Sequence, residues 1–227
     1  MAYDPRTIAF LADIIYPPLE LPAEKVQEIH NSLYRQPEFS YQNFQVTTDG
    51  IHLTNLADSP GSVSSVTFTP DRISVREELR ACTIEDFATR VINITTLSFQ
   101  TLGISHSIAQ QFIMRSLVTP RHLKDSRELL AGRMIAATEE AWPEFGRPLQ
   151  TAGLHFTFPQ TDDDVGVFDV RMETWNQDPR SLWIENIGSF TLPLAAENIP
   201  DLSNFLYRTY RFITDPVARF IQHFDTP

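Results

Sequence analysis

Two spacings of apolar residues divide the chain into predicted helices and predicted strands. Apolar residues three or four positions apart favour a helix, whereas alternation or a short apolar run between turn residues favours a strand. The longest helical pattern is Ile84–Leu102. Thr83 precedes it and can accept a hydrogen bond from the amide of Asp86, and Gly103 follows it as a suitable left-handed end. A long capped helix is therefore predicted near the middle of the chain.

Three other segments show the same helical spacing. Helices are predicted at residues 22–34, 125–142 and 201–213, and a last apolar pattern continues to Phe224. Proline lacks a backbone N–H and readily starts a new helix. The Thr-Asp-Pro sequence at residues 214–216 therefore predicts a kink between the last two helical patterns.

Strands are predicted between these helices. Residues 7–16 are rich in isoleucine and predict a strand that is buried on both faces except at Asp13. The Asp49-Gly50 pair lies between alternating residues, which is typical of a tight hairpin. Further on, alternation and apolar runs predict strands at residues 104–118, 149–158, 166–175 and 181–192.

The order of the predicted elements repeats along the chain. Residues 1–103 and residues 104–227 are each predicted to contain a strand, a helix, three strands and a helix. Antiparallel strands can bury one face of a sheet beneath helices. The sequence thus predicts an α+β fold of two pseudo-repeated halves, each an antiparallel sheet with helices packed on one face, joined in one compact unit. The alternative is a single α+β domain without a duplication.

Three segments carry a resemblance to a known group of proteins. They are residues 97–108, with a helix end and a Gly-Ile step, residues 113–119, with an arginine in a strand, and Leu182–Phe190. In these features the chain resembles a sporadically distributed, uncharacterised prokaryotic family. The resemblance implies the duplicated strand-helix-three-strand-helix order over most of the chain, and it implies no activity. The chain departs from the family at residues 115–118, which are Arg-Ser-Leu-Val where the family usually has Arg-Tyr-Ile-Asn.

The net charge, the single cysteine and the lengths of the apolar runs limit which partners and which cellular location the sequence predicts. The 227 residues include 18 Lys and Arg against 29 Asp and Glu, for a formal charge of −11. This charge disfavours nucleic acid and anionic lipid as partners. A single cysteine allows no internal disulfide, and no apolar run approaches the roughly 18 residues needed to span a bilayer. A cytoplasmic protein without membrane contact is therefore expected.

Residues that commonly perform chemistry are scattered. No two of the six histidines are closer than 16 residues, so sequence proximity predicts no metal site. Neither a glycine-rich phosphate loop nor a Gly-x-Ser-x-Gly motif occurs. Cys82 precedes a predicted helix and could be reactive, or it could be a small half-buried side chain. The sequence predicts no catalytic residue, no metal and no cofactor.

A group of arginines forms one candidate binding segment in this acidic chain. Its members are Arg72, Arg76, Arg80 and Arg90. They could bind an anion, an acidic partner or nucleic acid. The alternative is that they form salt bridges with Glu77, Glu78 and Glu85.

Two further sets of side chains are candidate sites. The first set lies on the predicted solvent-exposed side of the C-terminal helix: Tyr207, Arg208, Tyr210 and Arg211. Tyrosine and arginine are enriched at protein interfaces, so these residues could form a contact surface. The alternative is ordinary packing of an amphipathic helix. The second set would converge from distant positions in a pocket between sheet and helices: Arg115, His155, Asp169 and Glu173.

The hypothesis that follows is a non-catalytic binding or assembly module. Its partner would be another protein or a second copy of the chain, because the apolar content suffices for a core while no chemical motif is apparent. A small-ligand sensor or an enzyme with a pocket between sheet and helices is the alternative. A third possibility is anion or nucleic-acid binding through the segment from Arg72 to Arg90.

Overall fold

A computed structural model of the protein describes residues 3–135 and 142–227. Nine of the strands form one antiparallel sheet, and two short strands pair separately. The strands are β1 (Arg6–Ile15), β2 (Asn43–Thr47), β3 (Gly50–Thr54), β4 (Val63–Thr69), β5 (Arg72–Glu78), β6 (His106–Ser107), β7 (Ala109–Val118), β8 (Gly153–Phe158), β9 (Val167–Thr174), β10 (Leu182–Phe190) and β11 (Leu194–Ala195). Across the large sheet the order is β2-β3-β4-β5-β1-β7-β10-β9-β8, and β6 pairs with β11.

Four α-helices accompany the sheet in the described part of the chain, which confirms the predicted α+β class. They are α1 (Ala23–Tyr34), α2 (Ile84–Leu102), α3 (Leu202–Phe212) and α4 (Ala218–Phe224). Wide π-helical turns occupy Glu128–Met134 and Ile213–Val217. The second of these turns joins α3 to α4 and contains Pro216, at the position of the predicted kink.

Helices cover one face of the large sheet and leave the other face open. Alternate strand residues, such as Phe112 and Met114 of β7, are fully buried and join the single core cluster beneath the helices. The intervening residues lie on the open face and are mostly half-buried. Leu11 and Ile15 belong to this open face, so the prediction that β1 is buried on both faces is wrong.

Local signals placed α2 correctly. The Thr83 hydroxyl accepts a hydrogen bond from the Asp86 amide, and the Asp86 carboxylate accepts one from the Thr83 amide. Gly103 ends the helix at a φ of 74°, a conformation that costs glycine little. Ile84, Val91 and the other apolar residues of its inner face are buried. Both predicted ends of this helix are therefore confirmed.

Close packing joins α3 to β10. Gly188 faces Thr209 so closely that a Cβ at this glycine would lie 2.1 Å from Oγ1 of Thr209. The Asn186 side-chain amide donates a hydrogen bond to the Thr209 carbonyl oxygen over 2.8 Å. Thr209 Oγ1 in turn donates to the Phe205 carbonyl oxygen. This contact fixes how α3 crosses the sheet.

Several boundaries differ from the predicted ones. The predicted strand at 104–118 is interrupted, and only Ala109–Val118 belongs to the large sheet. Four strands, rather than three, follow α1 in the first half of the chain. The predicted helix at 125–142 becomes the wide turn Glu128–Met134, and its residues 136–141 lie outside the described residues.

Candidate functional site

An apolar groove opens at the edge of the sheet where β8 and β9 face the joint between α3 and α4. Its volume is about 360 Å³. The strands place alternate side chains in the groove, because Phe156 pairs with Val170 and both point toward the helices. The complete lining is Phe156, Phe158, Val170, Met172, Phe212, Pro216, Val217 and Phe220.

The wide turn at Ile213–Val217 shapes the helical wall of the groove. Pro216 cannot donate a backbone hydrogen bond, so the chain passes from α3 to α4 through a π-helical turn rather than a regular α-turn. Pro216 and Val217 themselves line the groove. A local irregularity of the backbone thus coincides with this apolar opening.

Four aromatic rings span the groove from strand to helix. The rings of Phe156 and Phe220 are 5.7 Å apart, and those of Phe158 and Phe212 are 5.2 Å apart. Phe158 remains 42% exposed and Phe220 remains 39% exposed. Clustered, exposed aromatic side chains are typical of interaction sites. No lining residue is ionisable, so the groove suits an apolar group and offers neither an acid nor a base.

The residues predicted to form a pocket between sheet and helices lie on the opposite, open face. Asn186 of β10 contacts α3, so its neighbour Glu185 points to the open face, where it pairs with Arg115. Arg115 bridges Glu185 and Glu78 at 2.8 and 2.9 Å. The pocket prediction is thereby corrected. These side chains form a network of charges across the sheet.

The other members of that predicted pocket share this open face. His155 of β8 and Asp169 of β9 approach to 3.6 Å, and Asp169 also accepts a hydrogen bond from Thr157. Glu173 lies further along β9 and is exposed. These groups are exposed or half-buried, and they are spread along the edge strand β8 and its neighbour β9. They do not enclose a space in which a substrate could be held away from water.

Each of the four arginines of the predicted anion-binding segment contacts a carboxylate. The pairs are Arg72 with Asp13 at 3.5 Å, Arg76 with Glu78 at 2.8 Å, Arg80 with Asp58 at 3.1 Å, and Arg90 with Glu77 at 3.4 Å. The salt-bridge alternative therefore holds for Glu77 and Glu78. Glu85 is not the acidic partner of these arginines in the described part of the chain. An anion would have to compete with a carboxylate at every one of them.

Glu77 is the most deeply buried acid of this group. Its side chain is 4% exposed, and it accepts a hydrogen bond from Ser64 over 2.8 Å. Burial raises the pKa of the Glu77 carboxyl, although Ser64, Arg90 and Arg80 lower it. The free-energy cost of removing this charge from water thus exceeds the stabilisation that its hydrogen bond and its cationic neighbours provide. We therefore interpret this cluster of arginines and carboxylates as part of the folded framework rather than as an anion-binding site.

The predicted interface on α3 is only partly exposed. Tyr210 packs toward the core, with its ring 6.3 Å from that of Phe10, which corrects its placement on the wet side. Arg208 pairs with Asp164 at 3.2 Å, and Arg211 is exposed. Burial and the Glu85 carboxylate raise the pKa of Tyr207. Tyr207, Arg208 and Arg211 line a surface depression of about 530 Å³, and their role as an interface stays a prediction.

The single cysteine is poorly suited to nucleophilic chemistry. Burial raises the pKa of the Cys82 thiol to about 11, with Glu77 adding to the effect. At neutral pH the side chain is therefore a thiol rather than the reactive thiolate. Within residues 3–135 and 142–227, no cluster of three or more His, Cys, Asp or Glu is arranged to hold a metal ion.

Sequence reasoning did not single out the groove. Its strand wall had a visible signal, because Leu154, Phe156 and Phe158 alternate with polar residues in a strand that turned out to lie at an edge. Its helical wall has a second signal in Pro216, which by itself indicates only a kink. The position of β8 at the end of the sheet order links the two signals, and that position depends on contacts between distant segments.

Comparison with models of known protein families and with curated proteins finds no match. None of the described helices combines the length and the apolarity needed to cross a bilayer.

Proposed function

We propose that this protein is a protein-binding module and that its contact surface is the apolar groove between β8–β9 and α3–α4. One observation carries the proposal: an open groove of about 360 Å³ is lined entirely by apolar side chains, four of them phenylalanines. Aromatic anchors of this kind dominate binding energy at protein interfaces. The partner would supply an apolar segment that covers Phe158 and Phe220.

Several features make catalysis the weaker explanation. An active site needs converging acids, bases or nucleophiles that are shielded from water. The groove lining contains none, and the ionisable candidates lie on the open sheet face. Arg115 and its carboxylate partners satisfy one another there. Binding without chemistry needs only the apolar surface that the groove presents.

A photo-crosslinking experiment tests the proposal. The photoreactive residue p-benzoylphenylalanine would replace Phe220 in the groove, Arg211 on α3, or Glu24 on α1 as a control. Crosslinks to one defined partner segment are expected from position 220 and not from Glu24. The variant Phe220→Glu should weaken binding of that purified segment by about 30-fold, since burying a charge against an aromatic anchor costs roughly 2 kcal/mol. Crosslinks from position 211 instead of 220 would move the interface to α3 and defeat the proposal.

We also infer that the chain arose by duplication, as two halves that share one sheet. In support, β1 and β7 lie side by side and antiparallel at the centre of the sheet. The strands that follow β1 extend the sheet on one side of this pair, and the strands that follow β7 extend it on the other side. A helix follows the strands in each half, α2 in the first and α3 in the second. The halves differ, since four strands of the large sheet lie between α1 and α2, whereas three lie between the π-helical turn at Glu128–Met134 and α3. In a crystal structure, residues 109–212 should superpose on residues 6–102 with their elements in the same order. A superposition that aligns strands of one half with helices of the other would refute the duplication.

A further inference from the structure

The outer edge of β8 presents backbone groups beside the groove. β8 is the last strand in the sheet order, and the Thr174 amide donates to the Ala152 carbonyl oxygen just before β8 begins. In an antiparallel pair, residues that bond to the partner alternate with residues whose N–H and C=O point away from it. Counting along the register from Ala152, residues 154, 156 and 158 bond to β9. Residues 153, 155 and 157 therefore point their N–H and C=O away from the sheet.

These outward groups have no hydrogen-bond partner within residues 3–135 and 142–227 in the backbone contacts of the structure. A strand edge of this kind is a template for an added strand. Such a strand would place its residues opposite Leu154, Phe156 and Phe158 on the groove side, because directly opposed residues share a face. Its intervening residues would lie beside His155 and Thr157 on the open face.

The opposite edge of the sheet lacks this combination. There, Phe44 of β2 packs against His30 of α1, with ring centroids 5.7 Å apart. A helix residue thus occupies the place that stays open beside β8. The groove and the edge occur together only at the β8 end of the described sheet.

Charge favours a foreign partner over a second copy. The turn after β8 carries the exposed carboxylates of Asp162 and Asp163, whereas Asp164 is paired with Arg208. The chain as a whole has a formal charge of −11, which disfavours association with a second, equally charged copy. A basic segment would be attracted to this edge instead.

We propose that the partner binds as an extended strand added antiparallel to β8, with apolar residues at alternate positions in the groove and basic residues at its N-terminal end beside Asp162 and Asp163. This inference rests on the proposed function, and it adds the conformation, pattern and charge of the bound segment. Antiparallel addition continues the arrangement of the whole sheet and brings the N-terminus of the new strand to the C-terminal end of β8.

Fluorescein-labelled synthetic peptides test this mode by fluorescence polarisation. In the first peptide, two lysines precede phenylalanine and valine that alternate with threonine over a length matching the six residues of β8. A second peptide has the same composition with its apolar residues at helical spacing, and a third has the lysines at the C-terminus. The first should bind at least about tenfold more tightly than either of the others, because only it matches both the pleat and the charge of the edge.

A proline substitution in β8 separates backbone pairing from side-chain contact. His155→Pro removes an outward N–H without removing a bond to β9, and edge strands tolerate such a proline. His155→Ala is the matched control, since it removes the side chain and keeps the N–H. Relative to His155→Ala, His155→Pro should weaken binding of the first peptide by at least about tenfold. If His155→Pro fails to fold, the same loss is expected when the first peptide is N-methylated at the residues that face the β8 edge.

The outcomes distinguish this inference from the proposed function. If Phe220→Glu abolishes binding while His155→Pro and N-methylation leave it unchanged, the groove is the interface and strand addition is overturned. Equal binding of the alternating and helical peptides, or binding of neither, overturns strand addition as well. If native mass spectrometry shows a dimer that His155→Pro converts to a monomer, the occupant is a second copy and the basic foreign partner is overturned.

Discussion

The variant Gly188→Ala is expected to lower the free energy of unfolding by about 3 kcal/mol, because the new methyl group collides with α3. The added Cβ would lie 2.1 Å from Thr209 Oγ1 and 3.0 Å from its Cγ2. Relief requires α3 to move away from β10, which would also stretch the hydrogen bond from Asn186 to the Thr209 carbonyl oxygen. Urea unfolding monitored by circular dichroism measures the loss.

Two further variants identify the collision as the cause. Gly132→Ala is the matched control, since a Cβ there meets no atom within 4 Å, and it should be neutral or slightly stabilising. The double variant Gly188→Ala/Thr209→Ala removes the two closest atoms and should recover about half of the loss. Equal losses for Gly188→Ala and Gly132→Ala would show that α3 does not lie this close to β10.

The variant Arg90→Ala is expected to cost about 3 kcal/mol near neutral pH, because it leaves a buried carboxylate without its nearest cation. Arg90 contacts Glu77 at 3.4 Å and donates a hydrogen bond to the Glu38 carbonyl oxygen at 2.7 Å. Its guanidinium also lies over the ring of Tyr41. The substitution therefore loosens α2 from β5 and from the segment that precedes β2.

The cost of Arg90→Ala should shrink as the pH falls. The pKa of Glu77 is already raised in the folded protein, so its ionisation opposes folding, and the penalty appears as the pH rises through the raised pKa. Removal of Arg90 raises this pKa further. The difference in stability between wild type and variant should thus be largest above the raised pKa and smallest below it, where Glu77 is protonated.

Urea titrations across this pH range provide the measurement, with Arg90→Ala/Glu77→Gln as the control. The neutral amide should recover much of the loss at neutral pH and remove the pH dependence of the difference. A deficit that stays constant with pH in Arg90→Ala would show that the lost contacts with Glu38 and Tyr41, rather than the charge of Glu77, determine the cost.

Local structure was predictable from the sequence because its causes lie within a few residues of each other. The cap at Thr83 and Asp86, the stop at Gly103 and the Asp49-Gly50 hairpin all depend on neighbouring side chains, and the structure contains each of them. The α+β class followed from the two spacings of apolar residues. For residues 128–134 the same reasoning predicted a helix, and the structure has a π-helix there, whose wider turn the helical spacing did not indicate.

The groove and the sheet order were not predictable in this way. Phe10 of β1 lies between Glu77 of β5 and Met114 of β7, and no local pattern specifies such distant neighbours. The groove depends on β8 being an edge strand and on α4 crossing above it. Asp225 stabilises that crossing, because its buried carboxylate accepts hydrogen bonds from Tyr3 and from the amides of Arg121 and His122. These contacts join three segments that are far apart in the sequence.

The central place of β1 has a consequence for biosynthesis. β1 precedes every other described strand, yet its two neighbours in the sheet are β5 and β7. When the ribosome has released the chain only as far as α2, β1 can pair with β5, but its other edge still lacks β7. An unpaired central edge of this kind attracts other chains. The nascent protein therefore passes through a stage in which the strand that later joins the two sides of the sheet exposes one edge to other chains.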